Sequence, residues 1–112
     1  MKELIFKVKG SASKPYTVSF KKNHNNINAS CTCPAGENGK HCKHRLAIMA
    51  GNSKSVVCSN KNQVTTIQLW LPGSDLGKAF VELTSAEHEY KKAKQRLTIA
   101  KKRIADTMKQ HP

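Results

Sequence analysis

The sequence predicts an α+β protein in which a small β-rich module precedes a long C-terminal helix. Two runs near the N-terminus alternate apolar and polar residues, which is typical of strands with one buried face. The last third of the chain repeats apolar residues with heptad spacing, which is typical of a long helix. The break at Leu71–Ser74 divides the two patterns. We therefore expect a first domain over residues 1–72 and a helical domain over residues 73–112.

The N-terminal part is expected to contain three strands. Leu4, Phe6 and Val8 fall on one face of the run 2–9, with Lys7 and Lys9 on the other. Apolar residues alternate with polar ones over 16–21, and the turn-forming stretch 10–15 lies between the two runs. Two such runs around a turn predict a β-hairpin with one buried face. Residues 27–31 alternate in the same way and predict a third strand, which Pro34 should end.

The middle of the chain is expected to contain a loop, a short helix and a second hairpin. Two glycines and a proline predict a loop over residues 34–40. Residues 42–50 suit a short helix that Gly51 would end. Residues 55–58 and 64–71 are interpreted as two further strands around a polar turn.

The last segment predicts a helix with a heptad repeat. Large side chains recur every seven residues and a small side chain follows three positions after each: Leu76, Leu83, Tyr90, Leu97 and Ile104, then Ala79, Ala86, Ala93, Ala100 and Thr107. Small residues at every second core position let a neighbouring helix approach closely. Thr84 and Glu87 fit a capping box, which indicates that the main helix begins afresh there. The alternatives are a helix lying on its own domain and a parallel or antiparallel coiled-coil dimer, which the number of repeats favours.

The composition indicates which classes of partner the chain can bind. Its 112 residues include 20 Lys and Arg against 7 Asp and Glu, a formal net charge of +13 that is spread along the sequence. Such a charge attracts polyanions, of which nucleic acid is the commonest, although lysine can also be an ordinary solubilising residue. No apolar run approaches the roughly 20 residues of a membrane span. The first residues do not form a secretory signal, so we expect an intracellular protein, cytoplasmic or nuclear.

Four candidate metal ligands stand within fourteen residues, as a Cys-x-Cys pair and a Cys-x-His pair. Alternate residues of a strand point to one side, so Cys31 and Cys33 can face the same ion. Cys42 can still be extended at the start of a helix and can converge there with His44. Three thiolates and one imidazole make a closed tetrahedral site, which favours a single zinc ion in a structural role.

Other interpretations of these residues stay open. His41 is next to Cys42 and could take the place of His44 as a ligand. An even number of cysteines also permits disulfides, although these are rare inside cells. A redox pair lacks its usual Cys-x-x-Cys spacing. Cys58 is expected to be a small buried residue on a strand.

The ligand spacing resembles that of the SWIM zinc finger, which is Cys-x-Cys, a variable gap and Cys-x-His. The resemblance covers residues 4–51. Within it, the order of elements is that of the family, which is strand, strand, metal-binding knuckle and helix; the matching segments are 16–20, 30–34 and 42–47. It implies a ββα fold stabilised by zinc, with the same four ligands. SWIM modules are associated with DNA binding and with protein–protein contacts, so the resemblance implies one of these roles. The rest of the chain resembles no family that we can name.

We expect a binding module and not an enzyme. Four protein ligands leave zinc no open position for water or substrate. The sequence contains no paired carboxylates, nucleophile elbow or phosphate loop.

The first functional hypothesis is nucleic-acid binding, with DNA favoured over RNA. The expected contacts come from the knuckle, the loop before it and the long helix: Lys21, Lys22, Lys40, His41, Lys43, Arg45, Lys91, Lys92, Lys94, Arg96, Lys101, Lys102 and Arg103. Lysine is a point charge that suits phosphates better than base edges. We therefore expect weak sequence selectivity and strong salt dependence. Each of these charges could instead be a solvated surface group.

The second hypothesis is a protein–protein adaptor. In this case the zinc module docks a protein partner and the helix forms a homodimer or binds a partner helix. Heptad position g is acidic at Glu82 and Glu89 and basic at Arg96 and Arg103. This division favours an antiparallel or offset pairing that matches the two halves.

Overall fold

The computed structural model describes residues 1–110, which group into two units. The first unit is Met1–Lys78 and the second begins at Ala79. The first contains a sheet and short helices, and the second contains most of a long helix. The predicted α+β class is confirmed. The last two residues of the predicted helical domain, 111 and 112, lie outside the described residues.

The sheet of the first unit has three antiparallel strands in the order β1-β2-β3. They are β1 at Lys2–Val8, β2 at Tyr16–Asn23 and β3 at Asn26–Cys31. Val18 of β2 pairs with Phe6 of β1, and the same alternation continues along the whole register. All three strands that the sequence predicted are present.

One face of this sheet forms the core. The side chains of Phe6, Val8, Val18 and Phe20 are at most 2% exposed. The rings of Phe6 and Phe20 meet edge to face with centroids 6.3 Å apart, a favourable arrangement for aromatic pairs. Cys31 pairs with Val18 across the sheet. The last residue of β3 therefore places its sulfur on the core side.

Within residues 1–110, four α-helices and one 3-10 turn follow the sheet. They are α1 (Pro34–Glu37), α2 (Lys43–Met49), the 3-10 turn (Lys61–Gln63), α3 (Val64–Trp70) and α4 (Asp75–Met108). The helix α1 occupies the first half of the segment predicted as a loop. Pro34 fits its first position, where the missing N–H group removes no helical hydrogen bond.

The short helix predicted for residues 42–50 is confirmed as α2. Its N-cap is Cys42. Gly51, with φ of +85°, ends it in a Schellman arrangement. The Gly51 N–H donates to the Ile48 carbonyl, and the Asn52 N–H donates to the Ala47 carbonyl, both at 2.9 Å. The helix is therefore closed at both ends by local sequence features.

The second hairpin predicted for residues 55–71 is wrong. Its second half forms α3, in which Val64, Ile67 and Trp70 are all buried. Their spacing of three residues fits a helix, whereas a strand would bury every second residue. The β-branched residues of this run favour strands in isolation, but burial of one helical face against the core outweighs that preference.

The first half of the predicted hairpin lies beside β1 without forming a strand. Val56 makes one isolated bridge with Val8. The Val57 N–H donates to the Lys7 carbonyl at 2.8 Å. The prediction that Cys58 is a buried strand residue is wrong. Its thiol is half-buried, and its Sγ accepts the Lys7 N–H at 3.3 Å, which ends the pairing.

The long helix α4 is continuous over its 34 residues, or about 51 Å at 1.5 Å per residue. Ser74 caps it, because its Oγ accepts the Gly77 N–H at 2.9 Å. The predicted fresh start at Thr84 is wrong. Its hydroxyl donates to the Val81 carbonyl at 3.0 Å, as a threonine inside a helix does.

The first turn of α4 belongs to the first unit. A carboxylate oxygen of Asp75 accepts the Ile27 N–H at 2.9 Å, and the Asp75 N–H donates to the Asn25 carbonyl at 2.9 Å. Every residue from Thr84 to Gln110 is exposed. Within residues 1–110, no helix combines the length and the apolar character that crossing a membrane requires.

Candidate metal centre

Four side chains converge where β3 ends and α2 begins. The Sγ atoms of Cys31, Cys33 and Cys42 and a ring nitrogen of His44 all lie within 4.8 Å of one another. The three cysteines are 3–5% exposed and His44 is 9% exposed. The structure thus brings together all four residues that the sequence suggested as ligands.

The first ligand pair lies at the junction of β3 and α1. Cys33 is extended and caps α1, because its Sγ accepts the Gly36 N–H at 3.3 Å. The Cys33 N–H donates to Cys31 Sγ at 3.5 Å. Gly36 approaches the Cys31 carbonyl so closely that a β-carbon would overlap it. The chain therefore needs glycine here to fold back over the sulfurs.

The second ligand pair lies at the start of α2. Cys42 is extended, with φ of −137° and ψ of 151°, and its Sγ accepts the Arg45 N–H at 3.5 Å. The Nδ1 atom of His44 lies 3.8 Å from Cys31 Sγ. The extended N-cap thus lets the two residues of a Cys-x-His pair converge, as the sequence predicted, with Nδ1 as the inward nitrogen.

The other side of the His44 ring is closely packed. Its ring centroid lies 5.1 Å from that of Tyr16. A β-carbon at Gly10 would come within 3.1 Å of Nε2. Nε2 is buried and has no hydrogen-bond partner within residues 1–110. Sequence analysis missed Gly10 and Tyr16 as neighbours of the site, because they are far from it in sequence.

Arg45 links the site to its surroundings. Its Nε donates to Cys42 Sγ at 3.1 Å, one terminal nitrogen donates to the Ala29 carbonyl at 3.0 Å, and the other donates to the Lys40 carbonyl. Sequence analysis placed Arg45 among the nucleic-acid contacts. Its position three residues after a capping cysteine was a signal for this role, since residues three apart are neighbours on a helix.

Burial and hydrogen bonding shift the ionisation of these groups in different directions. Burial raises the pKa of Cys31 to about 12. Burial also opposes ionisation of Cys42, but the N–H groups and positive charge of Arg45 outweigh it and lower the pKa of that thiol. Burial, and then the charge of Lys43, lower the pKa of His44, which favours the neutral ring that can coordinate a cation. Cys42 therefore ionises more readily than Cys31.

This donor set fits zinc. Tetrahedral zinc with sulfur and nitrogen ligands places the ligand atoms about 3.5–3.8 Å apart. The separation of 3.8 Å between Cys31 Sγ and His44 Nδ1 agrees with this geometry. All four cysteines of the chain are free thiols. His41, the alternative ligand, is exposed and lies outside the cluster.

Residues 16–50 match the family model of the SWIM zinc finger. This segment begins with β2, ends just after α2 and contains all four ligands. It is a SWIM zinc finger. The match covers a little under a third of the 112 residues. Searches of the curated proteins and of the solved structures gave no match to the chain.

Two of the basic residues predicted to bind nucleic acid lie in the sheet of the SWIM finger. Lys21 and Lys22 are in β2 and not in the loop where the sequence placed them. Adjacent residues of a strand face opposite sides of a sheet, so these two side chains do not share a surface. Lys21 is exposed and forms a salt bridge with Glu3 at 3.6 Å, whereas Lys22 is half-buried.

Apart from the half-buried Arg45, the other predicted contacts are exposed. Lys40, His41 and Lys43, which flank the buried Cys42 in sequence, are exposed. The helix α4 carries the remaining seven, all of them exposed: Lys91, Lys92, Lys94, Arg96, Lys101, Lys102 and Arg103. Positive charge therefore occurs on each of the two units.

Proposed function

We propose that the chain is a zinc-binding module that binds nucleic acid through its basic surface, DNA in preference to RNA and with weak sequence selectivity. One observation supports this proposal most strongly. The chain has 20 basic and 7 acidic residues, yet Lys21–Glu3 is the only salt bridge within residues 1–110. Nearly all of the positive charge is thus left to attract a polyanion. The preference for DNA rests on the association of SWIM fingers with DNA.

The chain around Cys42 carries one group of exposed positive charges. Lys40, His41 and Lys43 are exposed around Cys42. Arg45 holds the carbonyl of Lys40 and the sulfur of Cys42, so the backbone that bears these side chains is fixed. All three nitrogens of the Arg45 guanidinium donate to groups of the protein, so its proposed role is to position this part of the chain.

The chemistry of these groups suits phosphates. A lysine ammonium is a compact charge without the planar fork that arginine presents to base edges. Each phosphate that is neutralised lowers the logarithm of affinity by about 0.9 for each tenfold increase in salt. Binding through the knuckle is therefore weakly selective for sequence and strongly dependent on salt.

We propose further that a single zinc ion supports the fold and takes no part in catalysis. Its four ligands complete a tetrahedral shell and leave no position for substrate. None of the residues between Cys33 and Cys42 is buried, so this loop has no apolar core of its own to order it. The thiolate ligands also favour a reducing compartment, the cytoplasm or the nucleus.

Fluorescence anisotropy with the zinc-loaded full chain tests nucleic-acid binding. Single- and double-stranded DNA and RNA of one sequence are titrated at about 50 mM and about 200 mM salt. The variant Lys40→Glu/Lys43→Glu should weaken DNA binding about tenfold or more. The matched control is Lys54→Glu/Lys61→Glu, which changes net charge equally at exposed residues outside the knuckle.

Three outcomes of this titration contradict the proposal. Absence of binding to all four polymers at the lower salt contradicts nucleic-acid binding altogether. An equal loss in both double variants contradicts the role of the knuckle. Tighter binding to RNA than to DNA contradicts the stated preference. Measured zinc content of each variant confirms that the site is intact.

A further inference from the structure

The second half of α4 presents an apolar stripe to solvent. Tyr90, Leu97 and Ile104 are 68%, 56% and 57% exposed. Ala93 and Ala100 lie between them along the same face at heptad spacing. Nothing within residues 1–110 covers this stripe, because every residue after Leu83 in that range is exposed. An amphipathic helix normally buries such a face against a partner.

We propose that the partner is a second copy of this chain, bound as an antiparallel two-helix coiled coil through residues 79–104. Two independent features of the helix surface support this pairing and select one register. The first is the fit of large against small side chains in the core. The second is the match of the charges on both sides of the core.

In an antiparallel pair, position a of one helix faces position d of the other, so the large side chains at a lie opposite the small side chains at d. The layers pair Tyr90 with Ala93, Leu97 with Ala86, Leu83 with Ala100 and Ile104 with Ala79 of the second copy. Every layer then contains one large and one small side chain, so the helices approach closely without overlap or void. A parallel pair in register would instead stack Tyr90 on Tyr90 and leave Ala93 opposite Ala93.

The charges match in the same register. Position g faces position g of the antiparallel helix, and position e faces position e. The resulting pairs are Glu82 with Arg103, Glu89 with Arg96 and Glu87 with Lys94, each formed twice by the two-fold symmetry. Six pairs of opposite charge thus flank the core. Opposite charges at these positions set the orientation of coiled-coil partners.

The parallel alternative in register brings like charges together. In that arrangement position g faces position e of the next heptad. Glu82 would face Glu87, and Arg96 would face Lys101, so that only one of the three pairs on each side is opposite in sign. Like charges at neighbouring positions destabilise the pairing. The antiparallel register avoids both repulsions.

The surface of α4 has a groove where one of these layers would form. It is an open depression lined by Arg96, Ala100, Arg103 and Ile104 together with Ile99 and Thr107. Leu83 of the second copy would fill this groove. Lysines at the outer heptad positions remain free for nucleic acid, so dimerisation and nucleic-acid binding do not exclude each other.

Sedimentation equilibrium of the zinc-loaded full chain tests the pairing in reducing buffer of about 50 mM salt, where surface charges are weakly screened. The 12.4 kDa chain should form dimers. Arg96→Glu puts like charges opposite Glu89 of the second copy and should weaken the dimer about tenfold or more. In a parallel dimer Arg96→Glu would replace repulsion from Lys101 of the second copy by attraction, and the dimer would become tighter. Whether the dimer becomes weaker or tighter therefore distinguishes antiparallel from parallel helices.

A charge swap and a matched control complete the test. Glu89→Arg alone should also weaken the dimer, and Glu89→Arg/Arg96→Glu should restore it, because the pairs re-form with reversed sign. Lys102→Glu makes the same change of net charge as Arg96→Glu at an outer position and should leave the dimer unchanged.

The proposal is overturned by any of four results. These are a monomer at about 100 µM, a tighter dimer of Arg96→Glu, a charge swap that fails to restore association, or an effect of Lys102→Glu as large as that of Arg96→Glu. Circular dichroism of each variant separates lost association from lost helix. None of these outcomes depends on whether the chain binds nucleic acid.

Discussion

At the scale of single residues, Arg45 connects three separate parts of the metal centre. Its guanidinium reaches a ligand sulfur, the β3 carbonyl of Ala29 and the carbonyl of Lys40 in the knuckle. One planar group thereby joins the sheet, the loop and the start of α2. Hydrogen bonds to the sulfur also favour the ionised thiol of Cys42. Lysine has the same charge, but its single ammonium cannot reach three acceptors in a plane.

Replacing Arg45 by lysine should therefore destabilise the zinc-loaded protein by about 1–3 kcal/mol, the usual cost of leaving hydrogen-bonding groups unpaired. Urea unfolding of the zinc-loaded protein measures this loss. Lys43→Gln, at an exposed neighbouring position, is the control and should change stability by less than about 0.5 kcal/mol. Equal stability of Arg45→Lys and the wild type would show that the three hydrogen bonds contribute nothing.

At the scale of elements, α3 shows how a short apolar run can fold in two ways. Its sequence is rich in β-branched residues, and periodicity over seven residues does not separate a helix from a strand with certainty. The difference lies in which residues become buried. Ile67 is fully buried and Leu69 is 79% exposed. In a strand these two residues would share one face.

Two alanine substitutions test the helical assignment of α3. Ile67→Ala should cost about 2–5 kcal/mol, because it opens a cavity in the core. Leu69→Ala should cost less than about 0.5 kcal/mol, because its side chain is in solvent. Thermal or urea unfolding gives both values. Similar losses in the two variants would favour the strand that we have rejected.

At the scale of the whole molecule, the metal site connects elements that differ in how well they can fold alone. The sheet has its own aromatic core around Phe6 and Phe20. The knuckle that follows it has no buried apolar residue, and it leads into α2, which contributes Ile48 and Met49 to the core. Binding of the metal is therefore expected to be coupled to folding of this region.

Cys42→Ser, or removal of the metal with a chelator, should lower the melting temperature of the whole protein sharply. A ligand is lost in the first case and the ion in the second. Cys58→Ser is the matched control, since Cys58 is a free thiol outside the cluster and its replacement should leave zinc content unchanged. Thermal unfolding with measured zinc content checks both. A metal-free protein as stable as the zinc-loaded one would contradict the structural role of zinc.

The sequence alone was enough to predict the three strands, α2, the helical C-terminal segment and the four residues of the metal cluster. These features follow from local rules. Alternation defines a strand face, a heptad repeat defines a helix face, and the extended N-cap of a helix brings Cys42 towards His44. Each rule concerns residues close together in the chain, so no knowledge of the packing was needed.

Only the tertiary structure decided that residues 64–70 form a helix, that α4 continues through Thr84, and that Arg45 faces the metal site. A short apolar run folds according to the surface that covers it. The start of α4 is held by contacts of Asp75 with Asn25 and Ile27, which are distant in sequence. The direction of an arginine is set by acceptors such as Ala29, which are distant in sequence. Local patterns specify what a segment can form, and the contacts between segments select among those forms, because burial and hydrogen bonding outweigh small intrinsic preferences.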